Sequence, residues 1–233
     1  MGERSGPPSA GGGAAVAAFL DEARRLAPAT SGTPRLIFAL DATMSRQPTW
    51  DLACRLQAEL FAATAGLGGL AVQLVYFRGF SECRASRFVA DARALTDLMA
   101  GIACRGGETQ IGRVLRHVRA EAGKGPVKAL VLVGDAVEED PGGLSALAGE
   151  LGLLGVPAFC FQEGDDPRAG AGFAAIARLS GGVHARFDRA APARLAALLR
   201  AAAVYAARGL DGLRLAARED ATARRLLGAL TPR

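Results

Sequence analysis

Residues 35–45 read Arg-Leu-Ile-Phe-Ala-Leu-Asp-Ala-Thr-Met-Ser. The run Leu36 to Leu40 is apolar without alternation, which suits a strand buried on both faces inside a parallel sheet. It ends in Asp41, and oxygen-bearing side chains then recur at alternate positions as Thr43 and Ser45. Alternate side chains of an extended segment point the same way. One carboxylate and two hydroxyls can therefore converge on one point.

Outward from this stretch, strands alternate with helices. Leu70 to Phe77, Val127 to Val133, Val156 to Phe161 and Val183 to Phe187 read as strands, and Ser86 to Ala90 as a short edge strand. Ala14–Leu26, Trp50–Ala65, Asp91–Cys104, Gln110–Ala122, Gly142–Leu154, Phe173–Leu179 and Ala190–Ala207 read as helices. The alternation implies an α/β fold. Its expected form is a doubly wound, mainly parallel, Rossmann-like sheet with helices on both faces and one short antiparallel edge strand. Residues 1–12, rich in Gly, Pro and Ser, are expected to be a disordered arm, and 13–32 a helix and linker. The domain is expected over 33–207, followed by a helical tail over 208–233. The tail's stripe of Leu226, Leu227 and Leu230 is read either as packing back on the domain or as a homodimer contact.

The chain has 233 residues, half of them hydrophobic and 22% charged, which excludes a disordered polymer. Its net charge of +5 comes almost wholly from Arg, since Lys occurs only as Lys124 and Lys128. A GC-rich coding sequence produces the same bias, so the basic balance says little about nucleic acid. Aromatics are 6%, and none interleaves with the basic helical edge of Arg113, Arg116 and Arg119, which argues against single-strand binding. That edge reads as a solvated face. Cys54, Cys83, Cys104 and Cys160 form no CxxC pair and read as free thiols of a reducing cytosol. The opening MGERSGPPSAGGG has no signal-peptide core, Gly6 stands where a myristoylation motif needs Ser or Thr, and no apolar run nears about 18 residues. A soluble cytoplasmic protein is expected.

Catalytic motifs are missing. There is no G-x-S-x-G elbow for a serine triad, and Gly11–Gly13 lacks the G-K-[ST] of a phosphate loop. His117 is expected at the surface among its Arg neighbours, and His184 in a structural strand. In open α/β sheets, ligands bind beyond the carboxyl ends of the strands. Asp135 follows the strand that begins at Val127. Thr109, after Gly106-Gly107-Glu108, is expected at the N-cap of the next helix. Asp41, Thr43, Ser45, Thr109 and Asp135 together offer an oxygen-only donor set, the preference of Mg²⁺ or Mn²⁺ over zinc. Glu138, Glu139 and Asp140 read as a solvated acidic loop.

The order D-x-T-x-S, then G-G-x-T, then D, each beside a strand end or helix start, resembles the von Willebrand factor A domain and its metal-ion-dependent adhesion site (MIDAS). The similarity covers roughly residues 33–207. It extends to Ala71–Phe77, Gly106–Gly112, Val131–Asp135, Gly155–Phe159 and Phe173–Gly182 in the expected order. The resemblance implies a protein-interaction module of the stand-alone bacterial type, without enzymatic activity. Asp41, Thr43, Ser45 and Thr109 would contact the metal directly or through water, and Asp135 through water. An Asp or Glu of a partner protein would complete the coordination. Met44, Arg46, Gly107, Glu108 and Ala136 would face that partner. Thr43 stands where the family usually has Ser, and Ala136 where Gly often follows the last Asp. Glu108, beside the Thr ligand, could repel an acidic partner or fill the open position.

Two other readings remain open. A phosphoryl-transfer hydrolase of haloacid-dehalogenase type also places Asp after its first strand, but needs a second acid at position 43, which is Thr. A metal-free scaffold would bind through its tail or its Arg edge.

Overall fold

The uninterrupted apolar run that opens the sequence lies at the centre of a sheet. In the computed structural model, which describes residues 32–44, 47–188 and 190–230, the elements are β1 (Arg35–Asp41), α1 (Gln47–Leu56), α2 (Ala58–Ala62), β2 (Ala71–Arg78), β3 (Glu82–Val89), α3 (Ala92–Ala100), α4 (Ile111–Ala122), β4 (Val127–Gly134), α5 (Pro141–Leu153), β5 (Ala158–Glu163), α6 (Pro167–Ser180), β6 (Val183–Phe187), α7 (Pro192–Ala216) and α8 (Ala221–Leu230). The expected arm and first helix lie outside the described residues. The six strands run β3-β2-β1-β4-β5-β6 across the sheet. All neighbours are parallel except β2 and β3, so the doubly wound α/β expectation holds.

Period-two alternation divides the core between the faces. Leu36, Phe38 and Leu40 of β1 join the cluster under α1, α2, α3, α7 and α8. Ile37 and Ala39 join the cluster under α4, α5 and α6. Each face of β1 is thus sealed, which is why its sequence shows no polar alternation.

Several boundaries differ from the expected ones, for local reasons. The edge strand β3 begins at Glu82 and is not short. Its first half is polar because it pairs with β2, as in Arg78↔Glu82 and Tyr76↔Arg84. The long helix expected from Trp50 to Ala65 is divided at the buried Gln57, whose amide donates to the carbonyl of Ala92 at 3.1 Å. Helix α6 starts six residues before Phe173, with Asp166 capping the amide of Ala169 at 2.7 Å and Pro167 in the first turn. Asp140 and Pro141 begin α5 in the same way. Helix α7 runs on to Ala216 across a kink at Gly209, where φ is +61° and only glycine is at ease.

The tail returns to its own domain. Leu226 is buried, and Leu227 and Leu230 pack against the same core. Asp220 caps α8 by accepting from Thr222 and Ala223, and Arg200 of α7 reaches both Glu59 and Asp220. Among the described residues, no helix is long and apolar enough to cross a membrane.

Candidate metal centre

The chain leaves β1 toward β2 and β3, then returns on the other side of β1 as β4. This reversal is a topological switch point, where open sheets leave a crevice at the carboxyl edge. Asp41 is the last residue of β1 and is only 4% exposed. Its Oδ1 accepts the backbone N–H of Thr43 at 2.7 Å, a side-chain turn just beyond the strand end. Thr43 is buried as well.

Asp135 follows Gly134, the last residue of β4. A Cβ on Gly134 would lie 3.9 Å from the Cβ of Asp41 and 3.2 Å from the ring of Phe173, so the two strand ends abut. Asp41 and Asp135 therefore stand at adjoining strand ends beside the switch point.

A third segment, residues 101–110, is fastened between them and the β2–β3 hairpin. The amide of Arg105 donates to Ala42 at 3.0 Å, and that of Glu108 to Gly79 at 3.2 Å. Gly107 passes so close that a Cβ there would be 2.3 Å from the backbone of Gly79. The side-chain amide of Gln110 donates to the carbonyls of Arg78 and Gly79, both at 3.1 Å. The buried Arg78 donates to the carbonyl of Ala103.

This brings Thr109, buried at 6% exposure, to the same edge. Thr109 is not the N-cap, however. Helix α4 starts at Ile111, with Gln110 at the cap position and its side chain not capping. Thr109 is instead gripped by the loop after β4. Its hydroxyl donates to Glu139 Oε2 at 2.9 Å and its amide to Glu138 Oε2 at 2.7 Å. The amide of Glu138 donates back to Thr109 Oγ1 at 3.0 Å, and Glu139 Oε1 takes the amide of Gly112 at 2.7 Å. In the acidic loop expected to be solvated, Glu138 and Asp140 are exposed, and Glu138 and Glu139 also hold the segment that starts α4. Their role was hidden because their partners lie about thirty residues earlier in the chain.

Of the five expected ligands, Asp41, Thr43, Thr109 and Asp135 lie along this edge, whereas Ser45 and Arg46 fall outside the described residues. Met44 and Glu108 are exposed, Ala136 is half-buried, and Gly107 is turned to Gly79 within the chain. Phe80, at the hairpin tip, is 78% exposed and was not singled out from the sequence. Among the described residues, no three His, Cys, Asp or Glu side chains gather as a metal cluster. The candidate set has two carboxylates and depends on hydroxyls for the rest, a donor chemistry suited to a hard divalent cation.

The histidines lie elsewhere. His117 is half-buried, with Nε2 2.8 Å from Gln73 Oε1, so it is not a simple surface residue. His184 stacks on Phe173 and meets Gln162 at 3.0 Å. On the basic edge, Arg119 pairs with Glu150 and Arg113 donates to Ser81. All four cysteines are free thiols.

No protein-family model matches the chain, and no curated protein matches it. Solved structures do. A von Willebrand factor type A protein from Catenulispora acidiphila superposes with a TM-score of 0.58 at 19% identity, over 77% of this chain and 44% of that one. The SpRpn10 VWA domain gives 0.56 at 11% identity, over 70% and 95%. Proximal thread matrix protein 1 of the mussel byssus, with its MIDAS motif occupied by zinc, gives 0.58 at 15% identity, over 74% and 46%. The chain thus spans under half the length of the first and third of these. With its sheet order and helical layers, the chain has the von Willebrand factor A-like fold.

Proposed function

We propose that the chain is a metal-dependent protein-interaction module and not an enzyme. The observation that carries this reading is the placement of Asp41, Thr43, Thr109 and Asp135 on one edge at the switch point. Asp41, Thr43, Ser45, Thr109 and Asp135 would hold Mg²⁺ or Mn²⁺, which when bound supplies a positive centre for an incoming carboxylate. The zinc-occupied motif of the mussel protein supports use of a divalent cation. Asp41 alone would bring its negative charge directly to the ion, because Thr43, Ser45 and Thr109 are neutral and Asp135 is expected to act through water. That leaves affinity for an Asp or Glu of a partner protein. Met44, Arg46, Glu108 and Ala136 would flank the approach.

The module would comprise residues 33–207, with 208–233 as its tail and a cytoplasmic home for its free thiols. A homodimer through the tail would need surface other than Leu226, which is buried within the chain. The phosphoryl-transfer reading lacks its second acid at position 43, and Lys128, near the start of β4, lies at the far end of the sheet. Calorimetric titration of Mg²⁺ and Mn²⁺ into the wild type and Asp41→Ala, with a phosphatase assay alongside, tests the proposal. One site in the wild type, lost in Asp41→Ala, with no turnover, supports it. No binding to the wild type refutes it in favour of a metal-free scaffold, and turnover abolished by Asp41→Ala refutes it in favour of the hydrolase.

A further inference from the structure

We infer that Glu139 is a positioning residue for the cation site, acting through the hydroxyl of Thr109. The inference rests on the metal-dependent reading above and adds to it a residue that touches neither ion nor partner.

Helix α4 begins without a side-chain cap of its own: Gln110 turns its Nε2 to the carbonyls of Arg78 and Gly79, and its Oε1 accepts from none of the helix amides. An outside acceptor for its first amides is therefore needed. Glu139 supplies one with Oε1, which takes the amide of Gly112 at 2.7 Å. Capping alone would use only that oxygen. The second, Oε2, takes the hydroxyl proton of Thr109 at 2.9 Å.

A threonine hydroxyl has one proton to give and two lone pairs. Here Glu139 takes the proton and the amide of Glu138 fills one lone pair at 3.0 Å. One lone pair remains, and its direction is fixed by the other two bonds. Without Glu139 the hydroxyl can rotate and present its proton where a cation needs an electron pair. Glu139 also lies four residues after Asp135 on the same loop. One short segment therefore carries one candidate ligand and sets the orientation of another.

Mn²⁺ binding is to be measured by electron paramagnetic resonance on four proteins: wild type, Glu139→Ala, Thr109→Ala and the double variant. Thermal melts are recorded on each. Partners that orient metal ligands typically contribute tenfold or more to metal affinity. Glu139→Ala is expected to weaken Mn²⁺ binding about tenfold in the wild-type background, and to change it less than twofold when Thr109 is already Ala. Should Glu139→Ala not fold, Glu139→Gln is used in the same cycle, with its loss again expected only where Thr109 is present. Unchanged Mn²⁺ affinity with a lower melting temperature makes Glu139 a helix cap alone and overturns the inference. An equal loss in both backgrounds makes it a remote charge and overturns it too. Failure of all four proteins to bind Mn²⁺ refutes the underlying reading, a pattern distinct from either of these.

Discussion

The guanidinium of Arg78 grips the carboxylate of Glu82 through two hydrogen bonds, Nε to Oε2 at 2.9 Å and Nη2 to Oε1 at 3.1 Å. Arg78 is fully buried at the end of β2, and Tyr76 donates to the same carboxylate at 2.9 Å. The remaining nitrogen of the guanidinium holds the carbonyl of Ala103, on the segment that carries Thr109. Removing the acid strands a buried cation. Glu82→Ala should destabilise the chain by about 3 kcal/mol, the lower end for a broken buried pair because Glu82 retains some solvent. Urea unfolding measures this. A loss under about 1 kcal/mol would mean that the pair behaves as a surface ion pair.

Acid should weaken the fold in two stages. Burial holds both His117 and His184 below the usual histidine value of 6.5, aided at His184 by Arg186 and opposed at His117 by Glu121. The unfolded chain then takes up protons that the folded one resists, so this stability is full above pH 6.5 and is lost as pH falls through the folded values. Burial alone would raise Glu82, but hydrogen bonds from Arg78 and Tyr76 outweigh it and hold the carboxyl below 4.5. Its contribution is present above pH 4.5 and is lost below. Melting temperature should be level from pH 8 to 7, fall below 6.5 and fall again below 4.5. A flat profile from pH 7 to 5 contradicts the histidine part.

The close approach of Gly107 to Gly79 predicts a position-specific effect. Gly107→Ala places a methyl 2.3 Å from the Gly79 backbone, so the two loops must separate. Overpacking of this kind costs about 1–3 kcal/mol, and Mn²⁺ affinity should fall because Thr109 is two residues on. Gly106→Ala meets open space and should change neither quantity. Equal behaviour of the two variants in melts and Mn²⁺ titration would exclude the contact as a determinant.

The thiols should be sluggish. Burial pushes Cys54 and Cys83 up to about 11 and Cys160 higher still. At pH 8 a thiol of pKa about 11 is ionised on the order of one part in a thousand. Iodoacetamide should therefore modify these three slowly in the native protein and quickly in urea, as intact-mass spectra would report. Fast native alkylation of Cys54 would show that its surroundings are more open than described.

The fold was legible wherever burial is two-sided. The runs Leu36–Leu40 and Ala129–Val133 are apolar throughout because both faces of their strands are covered. The first half of β3 was illegible because Glu82 and Arg84 owe their place to cross-strand partners on β2. The early start of α6 is marked by Asp166-Pro167, a cap followed by a first-turn proline, and not by apolar spacing, which begins only near Phe173. At the candidate site, Asp41 and Asp135 could be placed because strand ends are local features. The grip of Glu138 and Glu139 on Thr109 could not, since a carboxylate in a charged run carries no mark of which distant amide it will meet.

Anomalous scattering from crystals grown with Mn²⁺ locates the cation without reference to any variant. One strong peak is expected at the carboxyl edge of the sheet, coordinated by Asp41, Thr43, Ser45 and Thr109, with Asp135 joined through water. A map with no peak there, or with its Mn²⁺ held by the acidic loop alone, would contradict the proposed site.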